Sequence, residues 1–206
     1  MNVCDFHTHT PSGCRMELLS SSVELPEQKF VSLEFHPWNL PDIRSIFTDD
    51  IAGRLPRFTA LGEIGLDRLR GPELSCQREW LKELLNIAKR CNKPVILHCV
   101  RAYPELLALL KNFPLPWAIH GFRGKPELLN EIWQYGGIVS FHPSIINNDH
   151  LHLLLAHPAG KIAFETDDDT TVDLDELVAI LSKKTGNPDL KNLANNSFME
   201  FVSYGK

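Results

Sequence analysis

No apolar run in the 206 residues approaches a membrane span. The longest, around Val95–Leu97 and Leu106–Leu110, stop far short of the roughly 20 residues that crossing a bilayer takes. The opening MNVCDFHTHT has no basic segment ahead of an apolar one, so no secretory signal and no membrane partner are expected, and the reading is a cytoplasmic protein. Basic charge is not in excess. Lys and Arg number 21 against 26 Asp and Glu, a net charge of −5. That balance excludes the broad basic face of a protein that grips long nucleic acid through many phosphates. CxxC pairs are absent, and five cysteines (Cys4, Cys14, Cys76, Cys91, Cys99) are an odd number. Free thiols in a reducing cytosol fit better than a disulfide framework, with Cys4 and Cys99 as small buried apolar side chains. Repeats, low-complexity stretches and long linkers are also missing, so residues 1–206 are expected to form a single domain.

What the chain does have is alternation. Short runs rich in Val, Ile and Phe precede longer stretches with helical spacing. Strands are expected over Asn2–Thr8, Met16–Ser22 (the weakest), Phe30–Phe35, Thr59–Leu66, Pro94–Val100, Trp117–Phe122, Gly137–His142 and Lys161–Asp167. A helix capped by Ser75 and reaching Arg90 carries the stripe Trp80, Leu81, Leu84, Leu85 and Ala88. Pro104 and Pro126 open two further helices, another spans Leu174–Leu181 and ends near Gly186, and the last runs over Leu190–Phe201. Strand–helix alternation predicts a parallel sheet with helices outside. Eight such units predict an α/β fold of the (β/α)8 TIM-barrel type, against an open doubly wound sheet as the competing architecture. At this length the barrel is short. Only about twenty residues separate the first strand from Phe30, so the first helix must be very short or absent and the early barrel irregular.

Polar residues that break the apolar pattern fall at strand ends. In Asp5-Phe6-His7-Thr8-His9, alternation along a strand puts Asp5, His7 and His9 on one face, where two imidazoles can share a divalent ion. Glu63 sits inside an apolar strand, a costly place for a carboxylate without a cation or donor. His98 ends Val95-Ile96-Leu97, His120 ends Trp117-Ala118-Ile119, and Asp167 ends a run in which Glu165 shares its face. Each alone has an ordinary structural explanation, whether a turn, a salt bridge or a hydrogen-bonded core histidine. Parallel barrel strands, however, point their C-terminal ends to one rim, where barrel enzymes hold their chemistry. His7, His9, Glu63, His98, His120 and Asp167 would meet there, a donor set suited to one or two divalent ions such as Mg²⁺, Mn²⁺ or Zn²⁺. Bound ions would lower the pKa of a water toward about 7, making hydroxide the expected nucleophile.

The segments DFHTHT (5–10), EFHPW (34–38), LGEIGLD (61–67), QREWLKELLNIAKRCNKPVILHCVRA (77–102), IHGFRG (119–124) and FETD (164–167) run in one order over most of the chain. In these the chain resembles the TatD family of metal-dependent hydrolases, within the amidohydrolase-like barrels. The resemblance implies a TIM-type barrel around a divalent metal centre, and Mg²⁺-dependent deoxyribonuclease activity in better-known members. It implies that His7, His9 and Asp167 hold one metal and that His98 and His120 hold a second. Glu63 would bridge them, with Asp167 and Glu63 catalytic. The chain departs from the family in a compressed segment between HTH and FHP. It also reads HCVRA where HCRDA is usual, which displaces the arginine to Arg101, and HGFRG where HCFSG is usual, which introduces Arg123.

Those departures lie on loops that face substrate. Arg68, Arg101 and Arg123, with His36 and His142, are the candidate substrate-binding residues, since a few local arginines orient a phosphate without a basic face. Arg70 sits just past the same strand end as Arg68. His150, His152 and His157 read as surface or supporting residues. The expected activity is phosphodiester cleavage, with short DNA among the candidate substrates. The alternatives are hydrolysis of a C–N or ester bond in a small molecule, and a non-catalytic barrel binding module.

Overall fold

The computed structural model describes residues 1–13, 15–25, 27–40, 44–149, 151 and 161–205. Cys14, His150, His152 and His157 lie outside the described residues. Eight parallel strands close into a barrel in sequence order: β1 (Asp5–Thr8), β2 (Glu17–Ser21), β3 (Val31–Leu33), β4 (Ala60–Asp67), β5 (Val95–Val100), β6 (Trp117–Ile119), β7 (Ile138–Phe141) and β8 (Ile162–Phe164). β8 pairs with β1 through Asp5 and Phe164. The weak β2 run is a strand because it is paired on both sides.

Alternation explains how the barrel positions its polar groups. Val95 and Leu97, Trp117 and Ile119, and Ile162 and Phe164 belong to the outer apolar layer. Between them, Ile96, Ala118 and Ala163 belong to an inner layer with Cys4, Phe6 and Phe30. Two residues beyond each inner apolar residue come His98, His120 and Glu165, so one periodicity builds an apolar floor and a polar rim. The lower end of the barrel is plugged by Phe198, Phe201 and Val202 of the last helix, α6 (Leu190–Val202). Phe6 meets Phe198 and Phe201 at centroid distances of 6.3 and 5.0 Å. Each buried side chain of this size contributes about 1.5–3 kcal/mol.

The helices are α1 (Arg44–Arg54), α2 (Leu74–Cys91), α3 (Tyr103–Leu110), α4 (Pro126–Gln134), α5 (Leu174–Thr185) and α6. All five stripe residues expected of α2 are buried. Its start differs from expectation: Glu73 occupies the N-cap position with no side-chain bond, and Ser75 lies inside the first turn. Gln77 does the fastening instead. Its Oε1 accepts the Asp67 N–H (2.7 Å), and its Nε2 donates to the carbonyls of Asp67, Arg70 and Pro72. The helix ends at Asn92 in left-handed conformation, followed by Pro94 as the next strand begins. Among the described residues no helix separates β1 from β2 or β2 from β3. α1 was not foreseen. Its sequence, RSIFTDDIAGR, carries a weak apolar stripe and an internal glycine. Among the described residues, no helix is long and apolar enough to cross a membrane.

Candidate metal centre

Glu63 is the centre of the rim. It is buried, and imidazoles from other strand ends converge on both of its oxygens. Oε1 lies 2.7 Å from His98 Nδ1, 2.7 Å from His120 Nε2 and 3.2 Å from His36 Nε2. Oε2 lies 3.3 Å from His7 Nε2 and 3.7 Å from His9 Nε2. Asp167 Oδ1 completes the far side, 3.6 Å from His9 Nε2 and 3.9 Å from His7 Nε2.

Local backbone irregularities build this convergence. The β4–β5 register slips between Leu61 and Ile64, the stretch that contains Glu63. Gly65 lets β4 approach β5 closely: a Cβ there would stand 2.0 Å from the His98 carbonyl oxygen. β1 slips too, between Asp5 and Thr8. The expected shared face of Asp5, His7 and His9 is therefore broken. His7 and His9 reach Glu63, whereas Asp5 accepts bonds from Thr166 N (3.1 Å) and Thr166 Oγ1 (2.7 Å). Burial pushes the Asp5 carboxyl up to about 6 despite those bonds. Asp167 lies just past β8 with φ +55, a conformation uncommon outside glycine, and is held there by its N–H to His7 O (3.0 Å).

Carboxylates behind the histidines orient them. His120 Nδ1 faces Glu165 Oε1 at 3.4 Å, and Ser140 Oγ bonds the other Glu165 oxygen. His98 Nε2 faces Asp67 Oδ2 at 3.1 Å, and the Trp38 indole N–H donates to the same oxygen at 2.6 Å. His9 Nδ1 lies 3.8 Å from Glu34 Oε2. Such partners fix ring orientation and raise the basicity of a ligating imidazole. The sequence reading did not assign roles to Asp67, Glu165 and Glu34. The signal for Glu165 was its two-residue spacing from Asp167; the signal for Asp67 was its place at the end of β4.

The electrostatics are those of a site built for cations. Burial alone would push the Glu63 carboxyl up, but the His120 charge and the facing imidazoles of His120, His36 and His7 hold it well below the usual carboxylate range. Burial would lower His120, yet Glu63 and Glu165 hold it well above the usual histidine value. The Glu63 carboxylate beside His9 also raises that imidazole. Both ring nitrogens of His7 are buried outside good hydrogen-bond geometry, although Nε2 faces Glu63 Oε2 at 3.3 Å. A buried polar atom left so is costly, and a divalent ion at Nε2 would satisfy it. Among the described residues, three-residue groups within ligand reach are His7–His9–Glu63, His7–His120–Asp167, His36–Glu63–His98 and His9–Asp167–Asp168. The donor set therefore fits a divalent metal, and it brings in His36, which the sequence reading placed with substrate.

Above the cluster opens a cavity of about 620 Å³, lined by Trp38, His98, Arg101, Tyr103, His120, Arg123, His142 and Asp167 among others. Arg101, Arg123 and His142 thus face the cleft. His142 Nδ1 is committed to the Ser144 N–H at 3.2 Å. Arg68 does not line the cavity. It pairs with Glu105 and donates through Nε to the Arg101 carbonyl at 2.9 Å.

The family profile described as TatD related DNase matches residues 6–176. A curated relative, the uncharacterized metal-dependent hydrolase YjjV of Escherichia coli K12, is 35% identical over 92 residues, 42% of this chain. That alignment spans 36% of the relative's own length. The crystal structure of YjjV, a TatD homologue from E. coli K12, superposes with TM-score 0.80 at 20% identity over 97% of both chains. A TatD family hydrolase from Entamoeba histolytica gives TM-score 0.74 at 14% identity, covering 100% of this chain and 98% of the other.

Proposed function

The chain belongs to the TatD-related DNase family, whose members include metal-dependent hydrolases, and on that premise we propose that it cleaves phosphodiester bonds, with short DNA among its substrates. One observation carries the reading. A single buried carboxylate, Glu63, is met by histidines from both halves of the barrel at the floor of an open cleft. One or two divalent ions held there (Mg²⁺, Mn²⁺ or Zn²⁺) would supply Lewis-acid neutralisation of phosphate charge and an activated water at neutral pH.

The protein's own groups divide the remaining work. His7, His9 and Asp167 would hold one ion, and His98 and His120, joined by His36 on the geometry of its Nε2, would hold the other, with Glu63 between. Asp167, half-buried and at the cleft edge, would take the proton from the attacking water. Glu165 and Asp67 hold His120 and His98 in orientation. Arg101 and Arg123, at the mouth of the cleft, supply guanidinium donors to an anionic substrate. Histidines ligate when neutral, so a metal held there would be lost in acid and activity is expected to fall below about pH 6. The four described cysteines are free thiols, which supports a reducing, cytoplasmic setting.

The test is a substrate panel run after chelation and re-addition of Mg²⁺, Mn²⁺ or Zn²⁺ in turn. Turnover of bis(p-nitrophenyl) phosphate and of short DNA with free 3′ ends supports the reading. Turnover of amides or carboxylic esters alone would replace it with the small-molecule hydrolase that the acidic net charge of −5 favours. Failure to bind any divalent ion would leave only a binding module.

A further inference from the structure

Four arginines follow the strand ends β4, β5 and β6, and they are used in different ways. Arg70 stacks on the Trp38 ring, its guanidinium carbon 4.6 Å from the centroid. Arg68 is paired with Glu105 in the first turn of α3. Arg101 and Arg123 are exposed, line the cleft, and among the described residues face no carboxylate within ion-pair distance. A chain with more acidic than basic residues thus leaves two cations unneutralised at one mouth. Their neighbours on the cleft floor are the histidines and carboxylates of the metal centre.

The Arg101 backbone is unusual. Its φ is +52, a left-handed conformation that arginine disfavours. An outside contact holds it: Arg68 Nε donates to the Arg101 carbonyl at 2.9 Å, while Glu105 fixes the other end of the same guanidinium. Arg68 thus ties α3 to the turn that carries Arg101.

We propose that Arg101 and Arg123 form a clamp for a second anionic group of the substrate, a terminal phosphate beyond the scissile one, and that Arg68, fixed by Glu105, is the positioning residue that presents Arg101 to it. The substrate class is then a short phosphodiester with a phosphorylated end, not the interior of a long polymer. This rests on the phosphodiester reading. Arginine suits the role because its fork donates two parallel bonds to phosphate.

The experiment compares the p-nitrophenyl ester of thymidine 5′-phosphate with the same compound carrying a 3′-phosphate. The clamp predicts about a tenfold higher kcat/KM for the phosphorylated compound, through a lower KM. Arg101→Ala brings that ratio to about one. Arg68→Ala lowers it in the same direction, and Arg68→Lys, which can still donate to the carbonyl and pair with Glu105, restores part of it. A purely structural role for Arg68 would slow both compounds equally and leave the ratio intact, which would overturn the positioning claim. A wild-type ratio of one would overturn the clamp while leaving the phosphodiester reading standing. Calorimetry with thymidine 3′,5′-bisphosphate against thymidine 5′-phosphate reads the clamp without turnover. Tighter binding of the bisphosphate, lost in Arg101→Ala, supports the clamp even where neither ester is cleaved; equal binding overturns it.

Discussion

The two sides of the barrel are built differently. From β4 to β7, helices α2, α3 and α4 join successive strands, and the two longest strands, β4 and β5, pair with each other. From β1 to β3, strands of three to five residues are joined without any helix among the described residues. Yet both sides deliver ligand-type residues to one carboxylate: His7, His9 and His36 from the thin side, His98 and His120 from the thick side. Closure of the sheet, more than the outer helical layer, brings such groups together. The thin side is held by pairing to its neighbours and by the apolar plug beneath it.

The largest expected effect breaks the meeting point of the two sides. Glu63→Gln keeps the side-chain volume but removes the charge that all five imidazoles face. Turnover should fall about a thousandfold or more, the scale of losing a positioned electrostatic group in a dry site. Circular dichroism should show the barrel intact, and metal content by atomic emission should drop. Retained metal with full activity would refute the assignment of Glu63.

Glycine substitutions sharpen the contrast in stability. Gly65→Ala on the thick side drives a Cβ to 2.0 Å from the His98 carbonyl oxygen, at φ +150. Urea unfolding should show a loss of about 3 kcal/mol or more. Gly13→Ala on the thin side, at φ +69, meets nothing within 4 Å. Its cost should stay near 1 kcal/mol, the backbone contribution alone. Equal losses would mean that the thin side is as tightly packed as the thick.

Glu165→Gln tests the groups behind the ligands. It leaves His120 without its charged partner and should weaken metal affinity or activity by about 10–100-fold, read by competition with a coloured chelator. An effect below twofold would make Glu165 a bystander.

The smallest effect concerns the seam where the thin side is fastened. Asp175 on α5 accepts the Val3 N–H at 3.2 Å and Lys191 Nζ of α6 at 2.6 Å. Burial would raise this carboxyl, but Lys191 and the Val3 N–H bring it below the usual range. Its stabilisation is therefore complete above the unfolded carboxylate pKa and is lost as pH falls through the lower folded value. Asp175→Asn should cost about 0.5–1 kcal/mol at pH 7, given its exposure. In urea melts repeated toward pH 3 the difference should shrink.

Most of the barrel is legible from local pattern. Trp80, Leu81, Leu84, Leu85 and Ala88 declare α2, and runs such as Val95-Ile96-Leu97 declare strands, because burial on a fixed period leaves a mark in the residues themselves. α1 leaves little mark, since it has few apolar positions. The face of Asp5 was misread because a slipped register in β1 cannot be seen in spacing. The six polar strand-end residues were legible because each interrupts an apolar run. His36, Asp67 and Glu165 acquire their neighbours through space: only the closed sheet brings His36 Nε2 beside Glu63 or Asp67 beside His98. The sequence places Arg68 with the substrate ligands because the residue that holds it, Glu105, is 37 residues away.

The plug beneath the barrel has a consequence for vectorial synthesis. Strand β1 is synthesised well before the plug that seals it: the partner of the Cys4 N–H just ahead of the strand, Asn195, follows 191 residues later, on the helix that also supplies Phe198 and Phe201. Until that helix has been made, the phenylalanine of β1 has no lid, so an early strand of the barrel is among the last to be sealed. Contacts this remote slow folding and prolong the exposure of sticky surface.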